Sequence, residues 1–498
     1  IFLDAVAEAV MALAAETRHG PAILLGAPWR VDGRGVNAAL LLDGGAVAAV
    51  SVKHDLPNYG VFDEKRVFAA GPLPQPILCR GFRLGVLVCE DMWGAAPAAS
   101  LRDGGAEALV VVNGSPFETD KSGERLRLAR DRVRETGLPL VYVNQVGGQD
   151  ELVFDGASFA LDAGGAEAAR LKGFESDFAI LHLVRRDGVV VPDGGSFAES
   201  FEPLAAVYQA MMLGLRDYVN KNGFPGVLLG LSGGIDSAIS AVVAADALGP
   251  ERVRCVMMPS PYTSRDSLED AADQAQRIAV RLDEISIGPA MDAFGAMLGT
   301  VFAGTRPDTT EENIQARARG LSLMAMSNKF GHMVLSTGNK SEMSVGYATL
   351  YGDMCGGYSV LKDVYKTTVF ALSRWRNDHM PVGGLGAPGA VIPERIITKA
   401  PTAELKPNQT DQDSLPPYDT LDDILSSLIE GDMAIRDIVA RGHDRATVMR
   451  VWRMVNIAEY KRRQAPPGVK ITRRSFGRDR RYPITNGFAG DGDGAGQG

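Results

Sequence analysis

The sequence lacks the features typical of membrane, secreted and zinc-binding proteins. No apolar run in its 498 residues approaches the ~20 residues needed to span a bilayer, and no signal peptide is visible. Its four cysteines lie far apart without a C-x-x-C pair, and its six histidines form no cluster with zinc spacing. A net charge of −9 argues against a general nucleic-acid binder. We therefore expect a cytoplasmic protein that contacts neither nucleic acid nor membrane.

The chain also lacks the G-x-x-x-x-G-K-[ST] loop that binds nucleotide phosphates, but a related loop is present. The string GLSGGIDSA at 230–238 lies between an apolar run and a helical pattern. Its glycines allow backbone N–H groups to approach a phosphate, and the N-terminus of the following helix favours negative charge. Asp236 supplies a carboxylate suited to Mg²⁺. The alternative is a serine-glycine turn that only caps the helix.

Composition along the chain predicts two α/β domains joined by a linker. Residues 1–185 alternate helical patterns with apolar runs typical of buried strands, whereas Gly, Pro, Asp and Ser interrupt this pattern in residues 186–199. From residue 200 to 486, a strand–loop–helix series predicts a doubly wound parallel sheet. Residues 487–498 have the composition of a disordered tail. The expected strands lie at 22–27, 84–89, 107–113, 139–145, 226–231, 252–260 and 332–337.

Long motifs of the second domain resemble, in the same order, those of the NAD⁺ synthetase family. The loop SGGIDS is similar to that of the ATP pyrophosphatase group, to which this family belongs. The resemblance continues through ENIQARARG at 312–320, STGNKSEMSVGYATLYGD at 336–353 and LKDVYKT at 361–367, and it reaches residue 486. It implies an adenine nucleotide hydrolase-like fold that grips the β,γ-pyrophosphate of ATP as a leaving group while a carboxylate becomes an adenylate.

The same resemblance implies which residues bind the substrates. Asn313, Arg317 and Lys461 would bind nicotinic acid adenine dinucleotide (deamido-NAD⁺), whose phosphates require positive charge nearby. Without the motif, Arg317 would be interpreted as an exposed helix charge. Glu342 would join Asp236 at Mg²⁺ or lie beside the dinucleotide. The residues expected to contact ATP are Gly230, Leu231, Ser232, Gly233, Gly234, Ile235, Asp236, Ser237, Thr337, Lys366 and Thr402.

A cysteine in the first domain is a candidate nucleophile that could release ammonia for an amidation. Cys89 ends an apolar run and precedes two acidic residues, and Lys53 and Glu64 lie upstream in VKHDLPNYGVFDEKRVF at 52–68. A nucleophilic cysteine needs a base and a cation that favour its thiolate. A lone cysteine on an apolar run is otherwise a small core residue. The residues alone leave both interpretations open.

These segments resemble the nitrilase group of amidases, as it occurs fused to glutamine-dependent NAD⁺ synthetases. The resemblance implies a nitrilase-like αββα sandwich in which Cys89 attacks the glutamine amide. Lys53 would stabilise the oxyanion, and Glu64 would be a supporting carboxylate. The residues expected to bind glutamine are Tyr59, Ser115 and Lys121.

The first domain departs from this family pattern in one respect. The family places a general-base Glu in a P-E-L-type motif upstream, and residues 1–52 contain no such motif. The chain begins at Ile1 within a helical pattern rather than at a Met. We therefore expect that the N-terminal part of the first domain is missing.

Together, the motifs predict a ligase that makes NAD⁺ from deamido-NAD⁺, with ATP as co-substrate, Mg²⁺ as cofactor, and glutamine or ammonia as nitrogen source. AMP and pyrophosphate would be released. A homo-oligomer is a further implication of the family resemblance. Three alternatives stand beside this prediction: a synthetase that uses only free ammonia, a ligase of the same loop group that adenylates another acid, and an amidohydrolase with a nucleotide-sensing domain.

Overall fold

The structure, a computed structural model, describes residues 1–407 and 409–488. The chain divides into two compact units. The expected tail at 487–498 lies outside the described residues from position 489 onward. The first unit comprises Ile1–Gly147 and Phe154–Phe201, and the second comprises Gly148–Val153 and Glu202–Gly498.

The first 201 residues contain short helices between many strands, as the alternating patterns predict. Two 3-10 helices, Glu64–Arg66 and Cys89–Met92, lie in loops. The other elements are α1 (Phe2–Glu16), β1 (Ile23–Val31), β2 (Arg34–Asp43), β3 (Ala46–Val52), β4 (Ile77–Cys79), β5 (Phe82–Val88), α2 (Ala95–Asp103), β6 (Ala108–Asn113), α3 (Lys121–Thr136), β7 (Leu140–Asn144), β8 (Val146–Gln149), β9 (Leu152–Asp155), β10 (Phe159–Leu161), β11 (Glu167–Arg170), β12 (His182–Arg186) and β13 (Val189–Asp193).

Four layers form the first unit. Strands β1, β2 and β3 make an antiparallel sheet, and a second sheet has the order β11-β10-β7-β6-β5-β4 with β5, β6 and β7 parallel. Alternation along β2 directs Leu40 and Leu42 toward Val10 of α1, whereas Ala39 packs against Val86 of the second sheet. Helices α2 and α3 cover the other face of that sheet. This arrangement confirms the predicted αββα sandwich.

The segment predicted as a linker, 186–199, contains strand β13, which pairs with β12 in an antiparallel hairpin. Asp187 and Gly188 form its turn, with φ values of 51° and 81°. An Asp-Gly pair flanked by Val-rich sequence is a strong hairpin signal, because Gly tolerates positive φ without steric cost. The turn residues thus close a hairpin within the segment.

The second unit is built on one parallel sheet of five strands, in the order β16-β15-β14-β17-β18. Its elements are α4 (Pro203–Lys221), β14 (Val227–Gly230), α5 (Ile235–Leu248), β15 (Val253–Met257), α6 (Arg265–Arg277), β16 (Arg281–Glu284), α7 (Gly288–Leu298), α8 (Thr309–Phe330), β17 (Met333–Ser336), α9 (Lys340–Val345), β18 (Tyr358–Ser359), α10 (Lys366–Asp378), α11 (Glu394–Thr398), α12 (Tyr418–Ile429), α13 (Ile435–Ala440), α14 (Arg445–Ile457) and α15 (Glu459–Arg462).

The strand order creates a crevice at the centre of this sheet. The chain leaves β14 toward β15 on one side and returns to β17 on the other, so the loops after β14 and β17 diverge. Ligands of doubly wound proteins bind at such a switch point, outside the carboxyl ends of the strands. The predicted doubly wound sheet is confirmed, and the loop at 230–237 lies at its switch point.

In the described ranges, none of the helices combines the length and the apolar character that crossing a membrane requires.

Candidate functional site

Cys89 occupies a strained turn at the carboxyl end of β5. Its φ of 50° lies in the left-handed region, which costs a non-glycine residue roughly 1–3 kcal/mol and is common at active sites. The Asp91 carboxylate holds this turn by accepting the backbone N–H of Val88 at 3.1 Å, of His54 at 3.0 Å and of Asp55 at 2.8 Å. The turn is therefore fixed to the segment that carries the candidate lysine.

Lys53 and Glu64 form a buried ion pair beside this turn. The Lys53 side chain is 1% exposed, and its Nζ lies 2.7 Å from Oε1 of Glu64. Asn37 Nδ2 donates to the other oxygen of Glu64 at 3.4 Å. Burial raises the pKa of the Cys89 thiol, Lys53 lowers it, and Glu90 and Glu64 raise it further. The structure thus brings the three predicted catalytic side chains of the first unit into one cluster.

The predicted glutamine-binding residues border the same cluster. The Tyr59 hydroxyl donates to Oε1 of Glu90 at 2.8 Å, and Lys121 Nζ lies 3.4 Å from Oε1 of Glu118. Lys121 lowers the pKa of the Cys89 thiol, as Lys53 does. Two cationic side chains thus act on the thiol from different chain segments.

Ser115 is held by residues that the sequence analysis missed. Its backbone N–H donates to Oδ1 of Asn144 at 2.9 Å, and Arg125 Nε donates to its hydroxyl at 3.0 Å. Arg125 in turn binds both carboxylate oxygens of Asp155 at 2.8 and 2.9 Å. Arg125 lies in an arginine-rich helix, so no sequence signal distinguished it from the other arginines of that helix.

In the second unit, the loop after β14 is organised by its two serines. The Ser237 hydroxyl accepts the backbone N–H of Ser232 at 3.2 Å and donates to the Gly234 carbonyl at 2.9 Å. Gly233 has a φ of 79°, and a Cβ there would lie 2.9 Å from Cα of Ser267. Only glycine fits this position, because the loop packs directly against the backbone of Ser267 in α6.

A lysine bridges the two carboxylates predicted to bind metal. Lys366 Nζ contacts Oδ2 of Asp236 and lies 3.0 Å from Oε1 of Glu342. Burial lowers the pKa of Lys366, but the two carboxylates together raise it by more than burial lowers it. The pKa of Lys366 is therefore above its usual value. Burial raises the pKa of Glu342 to about 7, against the effect of Lys366. The helix-capping Asn339, which the sequence analysis did not single out, donates to Oδ1 of Asp236 at 2.9 Å.

Asp236 and Glu342 suit a divalent cation that is shared with a substrate. Mg²⁺ usually binds one or two carboxylates together with phosphate oxygens, and here two carboxylates converge on one ammonium. Among the described residues, no group of three or more His, Cys, Asp or Glu side chains is placed to hold a metal on its own. The donor set therefore fits Mg²⁺ that arrives with a nucleotide.

The nucleotide loop, Lys366 and the two carboxylates line a cleft with a volume of about 290 Å³. Every residue predicted to contact ATP lines it except Gly233, and Glu342 lines it too. Thr402 donates its hydroxyl to the Gln409 carbonyl at 2.6 Å, which fixes the wall opposite the loop. The cleft is thus closed on one side by a segment far along the chain from the nucleotide loop.

Of the four residues predicted to bind the dinucleotide or lie beside it, Glu342 lines this cleft, whereas Asn313, Arg317 and Lys461 are not among the described residues lining it. These three converge instead on the segment 346–350. Asn313 accepts the hydroxyl of Thr349 at 2.9 Å, and Arg317 Nε donates to the Leu350 carbonyl at 3.2 Å. Lys461 Nζ donates to the carbonyls at 346 and 348, at 2.7 and 2.6 Å. They share one segment, and their roles stay predictions.

Comparison with known proteins assigns each unit to a described family. The carbon-nitrogen hydrolase family matches residues 3–188, and the NAD synthase family matches residues 207–465. The chain is similar to a glutamine-dependent NAD(+) synthetase of Rhodobacter capsulatus, with 51% identity over 97% of this chain and 88% of that protein. It is also similar to the corresponding protein of Acinetobacter baylyi, with 46% identity over 92% of this chain and 83% of that protein.

Solved structures agree with these relatives. A glutamine-dependent NAD+ synthetase from Acinetobacter baumannii in complex with ADP is 44% identical, covers 98% of this chain and 89% of its own, and superposes with a TM-score of 0.75. A structure from Cytophaga hutchinsonii, 21% identical, covers 98% of this chain and 88% of its own with a TM-score of 0.78, and it supports the fold.

Proposed function

The chain belongs to the glutamine-dependent NAD⁺ synthetases, and we propose which of its residues carry out each step of the reaction. These enzymes are carbon-nitrogen ligases that use ATP as co-substrate and glutamine as nitrogen donor. The first unit hydrolyses glutamine around Cys89, and the second unit consumes the ammonia at the loop 230–237. The observation that supports this division best is the cluster of Cys89, Lys53 and Glu64 in one unit and of the nucleotide loop with Lys366 in the other.

In the first unit, the Cys89 Sγ attacks the amide carbon of glutamine. The carbonyl oxygen becomes an oxyanion, which the Lys53 ammonium stabilises while Glu64 holds Lys53 in place. The thiol is protonated at neutral pH because burial raises its pKa, so a base must take the proton. The carboxylates close enough to raise the pKa of the thiol are Glu90 and Glu64. The base then returns this proton to the amide nitrogen, so that ammonia leaves, and water hydrolyses the glutamyl thioester to glutamate and the free Cys89 thiol.

Glutamine is positioned by residues around this cysteine. Tyr59 and Lys121 present a hydroxyl and an ammonium near Cys89, and Ser115 is held rigid by Arg125. The Lys121 ammonium can pair with the α-carboxylate of glutamine, and the hydroxyl oxygens of Tyr59 and Ser115 can accept from its α-amino group. We assign glutamine binding to Tyr59, Ser115 and Lys121.

In the second unit, the loop 230–237 receives the β- and γ-phosphates of ATP on its backbone N–H groups and serine hydroxyls. Lys366 leaves its two carboxylates for the phosphates when ATP binds, and Thr337 and Thr402 line the remainder of the cleft. Asp236 and Glu342 would hold Mg²⁺, which neutralises phosphate charge when bound. Pyrophosphate leaves from this loop after the nicotinate carboxylate has attacked the α-phosphate.

The dinucleotide contacts Asn313, Arg317 and Lys461 next to the segment 346–350. These side chains already bond to that segment, so a shift of the segment on binding would redirect all three. Lys461 and Arg317 supply the positive charge that two bridging phosphates require. Ammonia attacks the adenylated carboxylate of the bound dinucleotide, and AMP departs.

The setting of the enzyme is also part of the proposal. All four cysteines are free thiols, which is typical of proteins in the reducing cytoplasm. We propose a cytoplasmic homo-oligomer, as the family resemblance implies.

Two isotope and trapping experiments test the proposal. With ¹⁸O in the nicotinate carboxylate of deamido-NAD⁺, adenylation leaves one labelled oxygen on AMP. Label in pyrophosphate or inorganic phosphate would contradict the adenylate.

In the second experiment, hydroxylamine should convert the glutamyl thioester to a hydroxamate. Cys89→Ala should abolish the hydroxamate, whereas Cys79→Ala, a matched change at another partly exposed thiol, should retain it.

A further inference from the structure

The second unit contains another cleft, with a volume of about 400 Å³, that shares no lining residue with the nucleotide cleft. A volume of this size falls within the ~300–1,000 Å³ typical of small-molecule sites. Basic residues dominate its lining. They are Lys362, Arg462, Arg463, Arg478, Arg480 and Arg481.

The acidic residues of the cleft neutralise only part of this charge. Glu151 pairs with Lys362 at 2.6 Å. Glu459 accepts from both Arg462, at 2.9 Å, and Arg463, at 2.7 Å. The remaining carboxylate in the lining is that of Asp150.

Three guanidinium groups are left without a carboxylate. Among the residues that the structure describes, Arg478, Arg480 and Arg481 form no ion pair within 4.0 Å. The neighbouring carboxylate, Asp479, is instead bonded to Lys470 at 2.6 Å. The cleft therefore holds uncompensated positive charge.

Arg480 is the most unusual of these residues because it is buried. It is 8% exposed, and its Nη1 has no hydrogen-bond partner in the described part of the chain. Its guanidinium lies over the ring of Tyr482, 4.0 Å from the centroid, which fixes its plane. Burial lowers the pKa of Arg480, although Tyr482 and Glu459 oppose this effect.

A buried donor without a partner costs roughly 1–3 kcal/mol. Such groups in folded proteins are normally satisfied by protein, water or an ion. A guanidinium presents a planar fork of donors that matches the oxygens of a phosphate group. The negative charge of a phosphate group also offsets most of the positive charge of the three arginines that lack an ion pair.

We propose that this cleft binds a phosphate-bearing small molecule, with Arg480 as the central donor and Arg478 and Arg481 at its rim. The shared chemistry is the phosphate group, which comes from inorganic phosphate or pyrophosphate, or from a nucleotide. The site is distinct from the loop at 230–237, because the two clefts share no lining residue in the described ranges, and it includes none of the residues assigned to the dinucleotide.

Calorimetric titration of the full chain with pyrophosphate tests this inference. We expect the wild type to bind pyrophosphate at this cleft as well as at the loop 230–237, and Arg480→Gln should weaken binding at the cleft by at least about tenfold, since it removes a charge-assisted contact. The matched control, Arg436→Gln, neutralises an arginine whose side chain is 86% exposed elsewhere in the same unit, and it should retain both sites. Titrations with orthophosphate and with AMP separate a free phosphate from a nucleotide as the preferred ligand.

Two outcomes would overturn the inference. The first is unchanged stoichiometry and affinity in a folded Arg480→Gln protein. The second is binding that chloride abolishes at equal concentration, which would mean an adventitious ion only. If Arg480→Gln does not fold, the double variant Arg478→Gln, Arg481→Gln replaces it in the same titration, because both side chains are exposed and their replacement should not prevent folding. Unchanged binding of pyrophosphate in that double variant would also refute the site.

Discussion

Replacing Gly233 by alanine tests whether the loop after β14 grips phosphate. Gly233 has a φ of 79°, which costs an alanine roughly 1–2 kcal/mol. Its new Cβ would lie 2.9 Å from Cα of Ser267, 3.0 Å from its carbonyl carbon and closer still to its oxygen. These are backbone atoms, so the loop must move by about 1 Å to restore a normal contact.

A misplacement of about 1 Å in a positioning group can reduce a rate by roughly 100-fold. We therefore expect Gly233→Ala to lower kcat/KM for ATP by about this factor in an ammonium-dependent assay of NAD⁺ formation. The matched control is Gly295→Ala in α7, because Gly295 is not among the residues that line the cleft and its Cβ would meet no atom within 4 Å. A Gly233→Ala protein as active as this control would refute the proposed role of the loop.

Three further predictions concern pH, stability and glutamine. Glu342 has a pKa of about 7, so its charged form predominates only above that pH, and the rate of ATP–pyrophosphate exchange should rise as the pH increases through about 7. Glu342→Gln should be slower, and its rate should not rise over this pH range. A rise that persists in this variant would contradict the assignment of Glu342. Asp246 is 1% exposed and forms an ion pair with Arg376. Asp246→Asn should therefore lower the free energy of unfolding, measured by denaturant titration, by roughly 3–5 kcal/mol. A change below about 1 kcal/mol would be inconsistent with a buried ion pair. Tyr59→Phe, which loses the bond to Glu90, should raise KM for glutamine several-fold and leave the ammonium-dependent rate unchanged; an equal loss in both assays would place Tyr59 outside the glutamine site.

Local sequence signals predicted the elements that carry chemistry. The glycines and serines at 230–237 follow an apolar run and precede a small-residue helix, and the structure has strand β14 and helix α5 on either side of this loop. Cys89 was predicted at the end of a strand, and it lies directly after β5. Both predictions succeeded because the pattern and the turn residues occur within a few positions of each other.

Partners far apart in the chain could not be predicted in this way. Asp411 and Glu342 both accept from the Tyr418 hydroxyl, at 2.7 and 3.4 Å, across 76 residues in the second case. The burial of Arg125 could not be predicted either, because its ion-pair partner, Asp155, lies 30 residues away along the chain. The strands β16 and β18 were also missed, because β16 has the charged sequence RLDE instead of an apolar run and the two residues of β18 are too few to show a pattern.

The most direct test of the two-unit account is NAD⁺ formation from deamido-NAD⁺ and Mg-ATP, measured in parallel with glutamine and with ammonium, for the chain and for Cys89→Ala. The account predicts product from both nitrogen sources, and loss of the glutamine reaction alone in the variant. Product from ammonium alone in the unaltered chain would contradict the glutaminase assignment. Glutamine-dependent product that survives Cys89→Ala would exclude Cys89 as the nucleophile, and no product from either source would contradict the ligase itself.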